Sequence, residues 1–201
     1  LICRLLQPDQ GTILLQENKK TGYMLQKDHL LEWRTTHKNI ALGPEITHQT
    51  ADGLPQKIDN MLKKYQLDGF RNAKPNQLSG GMRQRAALIR TLMLEPDLLL
   101  LDEPFSALDY QTRLSVSDDV WAILKKENKT ALLITHDISE AICMSDRVII
   151  LSERPARIRK QVEINIDYIL MLVEKYHDGN CKDKEILTSI RKAVDASMQL
   201  R

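Results

Sequence analysis

The chain has 201 residues, of which 42% are hydrophobic and 28% are charged, a composition typical of a globular domain with a buried core. Its 29 basic and 27 acidic residues give a formal net charge of +2 and are spread along the sequence, which excludes a broad nucleic-acid-binding surface. The sequence contains no secretory pattern and no run of about 18 apolar residues, so we expect a cytoplasmic location.

The first 26 residues indicate a short β region. Residues 1–6 have the character of a helix end, and residues 7–11 predict a turn. Residues 12–15 and 23–26 predict two short strands, separated by a polar loop.

A polar, turn-rich segment follows, and parts of it have helical periodicity. Four apolar residues recur at helical spacing behind a proline and predict a small helical subdomain: Ile58, Met61, Leu62 and Tyr65. Ser79 is a suitable N-cap for a further helix, which we expect to end near Met93.

From residue 98 onwards, apolar runs alternate with helical patterns. Unbroken apolar runs suit strands buried on both faces, and their alternation with helices is typical of a parallel α/β sheet. We expect strands at residues 98–101, 130–135 and 147–151, and helices at 111–127 and 139–144. A half-exposed strand at 162–166 and a C-terminal amphipathic helix with Ile186, Ile190 and Val194 complete the prediction.

Two adjacent carboxylates follow the first of these apolar runs. Asp102 ends the predicted strand at the carboxyl edge of the sheet, where open α/β sheets bind their ligands. Its oxygens suit a hard cation such as Mg²⁺, usually through water. Glu103 points elsewhere and can orient or deprotonate an attacking water. Taken alone, the two residues also fit a solvated acidic turn.

Three other features suit phosphate chemistry. Ser79, Gly80 and Gly81 at a helix N-terminus offer a hydroxyl, free N–H groups and the positive dipole end to an anion, although a simple serine cap is the alternative. His136 follows a predicted strand and can hydrogen-bond phosphate or water, although a lone histidine is usually structural. Gln26 also ends a strand, and its amide suits Mg²⁺ or water, with a surface glutamine as the alternative.

Five ordered motifs carry a resemblance to a known family. They are Gln26, L-S-G-G-M-R-Q-R at residues 78–85, L-L-L-L-D-E-P at 98–104, S-A-L-D at 106–109, and His136. In this order they resemble the Q-loop, signature, Walker B, D-loop and switch histidine of ATP-binding-cassette (ABC) proteins. The similarity runs from the turn at Pro8 to the strand at Arg147.

The resemblance implies an ATPase that uses ATP and Mg²⁺. It assigns catalysis to Glu103 and His136 and metal binding to Gln26 and Asp102. It assigns nucleotide binding to a larger set: Gln26, Ser79, Gly80, Gly81, Met82, Asp102 and Asp109. In this family two cassettes enclose ATP, so the signature residues are expected to act on the nucleotide of a second, identical or different, subunit. Asp109 is expected to organise that interface, with a helix N-cap as its alternative role.

The implied fold is α/β of the P-loop NTPase (RecA-like) type, with a parallel-sheet core and an inserted helical subdomain. Residues 1–26 are expected to be the remainder of the RecA-like and β subdomain, and residues 27–95 the helical subdomain with the signature. Residues 96–155 are expected to form the core with Walker B, D-loop and switch histidine. Residues 156–201 are expected to add a strand and helices.

The segment after Gln26 indicates a branch of the family. Residues 30–34 read L-L-E-W-R, which resembles the segment after the Q-loop in the ATP-binding subunits of importers of nitrate, sulfonate and taurine. Trp33 suits a groove for the coupling helix of a permease, with a local core anchor as the alternative. The resemblance therefore implies permease partners, an indirect solute-binding protein outside the cytoplasm, and a peripheral location at the cytoplasmic face of the membrane, without a nucleic-acid partner.

The Walker A pattern G-x-x-x-x-G-K-[ST] does not occur in the sequence. In the family this loop precedes a helix that ends like residues 1–6, so the chain resembles a cassette without its N-terminal strands and phosphate loop. We therefore expect the 201 residues alone to be inactive. A degenerate, non-catalytic cassette subunit and a soluble ABC ATPase of translation or DNA repair are the alternatives.

Overall fold

The computed structural model describes residues 1–15, 19–48, 53–106, 108 and 110–164. The chain divides into two compact units, the first made of Leu1–Val116 and Ile123–Ile134, the second of Ser117–Ala122 and Thr135–Arg201. Within the described ranges, no helix is both long and apolar enough to span a membrane.

The first unit contains a parallel three-stranded sheet. Its strands are β1 (Thr21–Met24), β2 (Leu98–Asp102) and β3 (Thr130–Ile134), in the order β1-β2-β3. The register places Met24 beside Leu101 and Asp102 beside Ile134. The carboxyl ends of the three strands therefore meet at one edge. Leu99 and Leu101 of β2 are buried, which confirms the predicted apolar strand of a parallel α/β sheet.

Along the described part of the chain, four α-helices separate the strands of this sheet. They are α1 (Thr36–Ile46), α2 (Leu54–Lys64), α3 (Gly80–Leu92) and α4 (Tyr110–Lys126), and α4 has residues in both units. Helix α2 buries Ile58 and Leu62, and α3 begins after the cap residue Ser79, so both predicted helices are confirmed. Sequence analysis did not predict helix α1, because its segment is polar and rich in turn residues.

The second unit, as far as it is described, contains one short helix and a two-stranded sheet. Helix α5 (Ile138–Met144) is followed by β4 (Arg147–Leu151) and β5 (Ile158–Glu163), which pair in antiparallel orientation. The last strand begins four residues before the predicted start at residue 162, because its first residues pair with the end of β4. The predicted C-terminal helix around Ile190 lies outside the described residues.

Two predictions for the first 15 residues are wrong. Residues 1–6 form a turn in which the Arg4 N–H donates to the Leu1 carbonyl, with Arg4 in the left-handed region at φ 58°, so no helix ends there. Residues 12–15 are not a strand, and the Leu14 side chain is 91% exposed. A strand requires a neighbour for its backbone groups, and no described strand pairs with this segment.

Two predicted strands are present with altered bounds or burial. Strand β1 is Thr21–Met24 rather than 23–26, so Gln26 lies two residues beyond it. Strand β3 was expected to be buried on both faces, but Ile134 is 54% exposed. Within the described residues β3 pairs with β2 alone, so it is an edge strand of this sheet.

Candidate functional site

The parallel register brings two predicted site residues together at the carboxyl edge of the sheet. Gln26 lies just beyond β1, and Glu103 is the first residue after β2. The Gln26 Nε2 donates to the Glu103 Oε2 at 2.9 Å. These residues are 77 positions apart in sequence, so the pairing of β1 with β2 creates their contact.

The backbone of Glu103 is held in an unusual conformation. Its φ is 43°, in the left-handed region, which costs a non-glycine residue on the order of 1–3 kcal/mol. Three hydrogen bonds fix it there: the Glu103 N–H donates to the Ile134 carbonyl at 2.8 Å, and the Ser106 N–H and hydroxyl donate to the Glu103 carbonyl. The carboxylate is therefore directed by the ends of both β2 and β3.

Asp102, the last residue of β2, has a phenol as its hydrogen-bond donor. The Tyr23 hydroxyl donates to the Asp102 Oδ2 at 3.0 Å. This hydrogen bond, together with burial and the negative charge of Asp102, raises the pKa of Tyr23 above its ordinary value, so the phenol stays protonated as a donor at neutral pH. Sequence reasoning missed Tyr23, because only the pairing of β1 with β2 places it beside Asp102.

A magnesium ion fits the donors at this edge. Sites for Mg²⁺ and phosphate usually contain one or two carboxylates, with substrate oxygens and water completing the coordination. Asp102 accepts one hydrogen bond from Tyr23 and retains further acceptor positions. The described residues contain no group of three or more His, Cys, Asp or Glu arranged as a metal cage. The donor set therefore suits an ion that is shared with phosphate.

The Tyr23→Phe substitution is expected to weaken Mg²⁺ binding about tenfold, because loss of a hydrogen bond that orients a ligand typically has this effect. Titration of Mg²⁺ into the complete gene product with bound ADP, followed by calorimetry, measures it. Tyr65→Phe is the matched control, since the Tyr65 hydroxyl donates to the carboxylate of Glu127 at 3.3 Å. Equal Mg²⁺ affinities in the two variants would contradict an orienting role for Tyr23.

The signature residues form the first turn of α3. Ser79 has an extended backbone, and its Oγ accepts a hydrogen bond from the Met82 N–H at 3.3 Å, so the predicted cap is confirmed. A Cβ on Gly80 would lie 2.9 Å from the Leu108 Cδ2, and one on Gly81 would lie 2.8 Å from the Val116 Cγ2. Close packing against Leu108 and Val116 thus requires the glycines, a reason that sequence analysis did not provide.

The Gly81→Ala substitution is expected to lower the free energy of unfolding by about 1–3 kcal/mol, the usual cost of overpacking. Val116 is buried and β-branched, so its methyl group cannot easily move away from the new Cβ. Gly69→Ala is the control, because its Cβ would meet no atom within 4 Å. Urea unfolding measures both variants, and an equally stable Gly81→Ala protein would show that the contact relaxes.

His136 belongs to the second unit and lies in the loop before α5. The loop is fixed on both sides of the histidine. The Thr135 hydroxyl donates to the buried Glu140 carboxylate at 2.6 Å, and the Asp137 side chain caps α5 by accepting from the Ser139 and Glu140 N–H groups. The His136 side chain is exposed. The remaining predicted site residue, Asp109, lies outside the described residues.

The segment that contains Trp33 is organised by a buried asparagine. Asn39 is fully buried, and its side chain hydrogen-bonds the N–H of Leu31 and the carbonyls of Leu31, Arg34 and Thr35. The Trp33 side chain is 73% exposed at the surface of this loop. Trp33 is therefore not a local core anchor, the alternative considered from the sequence.

These features define a class of protein. A parallel α/β sheet carries adjacent carboxylates at its carboxyl edge, one of them hydrogen-bonded to a glutamine amide, and a serine-capped helix begins with two glycines. Open α/β sheets of this kind bind ligands beyond the carboxyl ends of their strands. The arrangement is that of an open α/β nucleotide-binding fold.

Comparison with known families then gives the family. The sequence model of the family described as ABC transporter matches residues 1–106, which is more than half of the chain. The chain therefore belongs to the ABC transporter family of ATP-binding proteins, and the resemblance carried by the five motifs is confirmed. A second model, the C-terminal part of subunit R of type I restriction and modification enzymes, matches residues 156–201, less than a quarter of the chain.

Several curated proteins are similar to the chain. An uncharacterized ABC transporter ATP-binding protein of Bacillus subtilis is 42% identical over 178 residues, which cover 86% of this chain and 68% of that protein. The formylaminopyrimidine import ATP-binding protein of Halalkalibacterium halodurans is 43% identical over 169 residues, covering 83% and 67%. The aliphatic sulfonates import ATP-binding protein of Bacillus cereus is 37% identical over 184 residues, covering 92% and 68%.

A solved structure supports the same fold. The ATP-binding cassette MJ0796, in a dimeric post-hydrolysis state bound to ADP and Pi, has a TM-score of 0.60 and 29% sequence identity. The match covers 73% of this chain and 64% of that one, so the chain spans about two thirds of the length of the proteins it resembles. The predicted ABC-type P-loop NTPase fold is therefore confirmed.

Proposed function

We propose that the chain is part of an ATP-hydrolysing subunit of an ABC importer that drives the uptake of a small solute. The observation that carries this proposal is the contact between Gln26 and Glu103, just beyond two parallel strands of an ABC fold. The names of similar proteins, which are import ATP-binding proteins for aliphatic sulfonates, taurine and formylaminopyrimidine, support the importer branch.

The carboxylates and the amide divide the chemistry of hydrolysis. Glu103 accepts a proton from the attacking water or orients it, and Gln26 holds the Glu103 carboxylate in place through its Nε2. Asp102 and Gln26 would hold Mg²⁺, and the ion would supply positive charge to offset that of the ATP phosphates. By its place in the motif order, His136 is the residue that we assign to a hydrogen bond with phosphate.

A second cassette completes the nucleotide site. Ser79, Gly80, Gly81 and Met82 lie at the N-terminus of α3, where N–H groups and the helix dipole favour an anion. We assign them to the nucleotide of a second ATPase subunit, identical or different, with Asp109 at the interface. The pattern G-x-x-x-x-G-K-[ST] does not occur in the 201 residues, so the activity measurements proposed here use the complete gene product.

Substitution of two aspartates at opposite ends of β2, Asp102 as its last residue and Asp97 just before it, tests the site. In the complete gene product, Asp102→Asn is expected to raise the Mg²⁺ concentration for half-maximal ATP hydrolysis at least about tenfold, because a charged ligand is lost. Asp97, just before β2, bonds Lys19 and the Lys20 N–H at the other end of the strand, so Asp97→Asn is expected to leave the Mg²⁺ requirement unchanged. The same requirement in both variants would reject the site.

The exposed Trp33 supports contact with a permease at the cytoplasmic face of the membrane. An exposed aromatic side chain, on a loop that a buried residue holds in one conformation, suits packing against a helix of a partner protein. Deletion of the gene is expected to abolish growth on taurine or an alkanesulfonate as sulfur source, whereas loss of a soluble cassette of translation or DNA repair would leave uptake of the sulfur source intact. Restoration by wild type but not by Trp33→Ala, with ATP hydrolysis retained, would locate the permease contact.

A further inference from the structure

Two arginines of α3 hold the segment that follows Gln26. The Arg83 Nε donates to the Asp28 Oδ2 at 2.9 Å, and its Nη2 donates to the Asp28 Oδ1 at 3.2 Å, across 55 positions of sequence. Two turns further along α3, Arg90 donates to the main-chain carbonyls of Asp28 and His29, both at 2.7 Å. Asp28 is thus held through its side chain and its backbone.

The chemistry of this contact favours a rigid connection. A bidentate arginine–carboxylate pair fixes geometry as well as charge, which a lysine cannot reproduce. The Leu30 N–H also donates to the Asp28 Oδ1, at 3.0 Å. The Asp28 side chain is only 16% exposed, so water screens the pair weakly.

The pair connects the two parts of the candidate site in the first unit. On one side, Asp28 is two residues from Gln26, whose amide bonds Glu103. On the other side, the Arg83 N–H donates to the Ser79 carbonyl at 2.9 Å, in the first turn of α3. A continuous series of bonds therefore links Glu103 to Ser79.

We propose that Asp28, Arg83 and Arg90 are positioning residues that fix the Ser79-Gly80-Gly81 turn relative to Gln26 and Glu103. They do not contact the reacting groups themselves. They keep a fixed distance and orientation between the turn that we assign to the nucleotide of the second subunit and the two residues that we assign to hydrolysis in this subunit. The proposal rests on the proposed function for its effect on catalysis, and on geometry alone for its effect on structure.

A double-mutant cycle with Asp28→Asn and Arg83→Gln in the complete gene product tests the proposal. Each single variant is expected to lower kcat for ATP hydrolysis about 10- to 100-fold, as misplacement of about 1 Å does, and the double variant is expected to be no worse than either. The KM for ATP is expected to stay within about twofold, since the changes do not remove a nucleotide contact. Hydrogen exchange at residues 26–32 and 79–83 is expected to accelerate in all three variants.

A second arginine–aspartate pair provides the control. The Arg71 Nε donates to the Asp59 Oδ1 at 2.6 Å and joins α2 to the turn after it. Arg71→Gln and Asp59→Asn are expected to leave kcat and exchange at residues 79–83 unchanged. If Arg83→Gln does not fold, Arg83→Lys, which keeps the charge without the fork, replaces it in the cycle.

The outcomes separate this proposal from the proposed function. Additive effects on kcat, or a kcat like that of the control pair, would overturn the positioning role. A wild-type protein without ATP hydrolysis would reject the proposed function, and the exchange measurements would then decide the positioning role alone. Unchanged exchange at residues 79–83 in Asp28→Asn would overturn it in either case.

Discussion

Glu103→Gln in the complete gene product is expected to lower kcat for ATP hydrolysis by about 10²–10⁴-fold, the usual contribution of a general base. The amide has the size of the carboxylate, so the hydrogen bond to Gln26 can be kept, but it cannot accept a proton. ATP binding is expected to stay within about twofold, because the base acts in the transition state. Steady-state kinetics and a nucleotide titration measure the two quantities.

Glu95→Gln is the matched control for this substitution. Glu95 lies before β2 and also has a positive φ, 51°. Its carboxylate forms an ion pair with the Lys57 ammonium group. This variant is expected to hydrolyse ATP at the wild-type rate. If Glu103→Gln retains more than about a tenth of the wild-type kcat, Glu103 is not the general base, since even the weakest such group contributes more. Its contact with Gln26 would then be structural.

The elements that the sequence predicted well are those with long periodic patterns. The leucine run before Asp102 is β2, and the stripe after Ser79 is α3, with its cap as expected. Such patterns reflect burial of an element on one or both faces. They can be read from the sequence because each residue's hydrophobicity is known without the fold. Helix α1 escaped this reasoning because its buried face includes Thr36 and Asn39 and its last turns contain a proline.

The contacts within the site could not be predicted, because they depend on register. Gln26 bonds Glu103 and Tyr23 bonds Asp102 only because β1 pairs with β2 at one particular offset, and a slip of one residue would reverse both faces. One signal was available for the bond between α3 and Asp28. The seven-residue spacing of Arg83 and Arg90 places them on one helix face, although it does not name their partner.

Asn39→Ala is expected to lower the free energy of unfolding by about 2–4 kcal/mol, more than an ordinary surface substitution. The side chain is fully buried and forms four hydrogen bonds with the backbone of Leu31, Arg34 and Thr35. Its loss leaves the Leu31 N–H and the Arg34 carbonyl without this partner, at about 1–3 kcal/mol for each group that water cannot reach, and creates a small cavity. The Leu31 and Thr35 carbonyls keep backbone donors, the N–H groups of Arg34 and Asn39. Chemical denaturation of the complete gene product measures the change.

Asn60→Ala is the control, because Asn60 is exposed on α2 and alanine is the better helix former, so its stability is expected to be equal or slightly higher. The same experiment also tests how the Trp33 loop is held. If Asn39 fixes residues 31–35, hydrogen exchange in Asn39→Ala accelerates more at these residues than within α1. A stability loss below about 1 kcal/mol would mean that water replaces the amide, and that the loop reaches its conformation without Asn39.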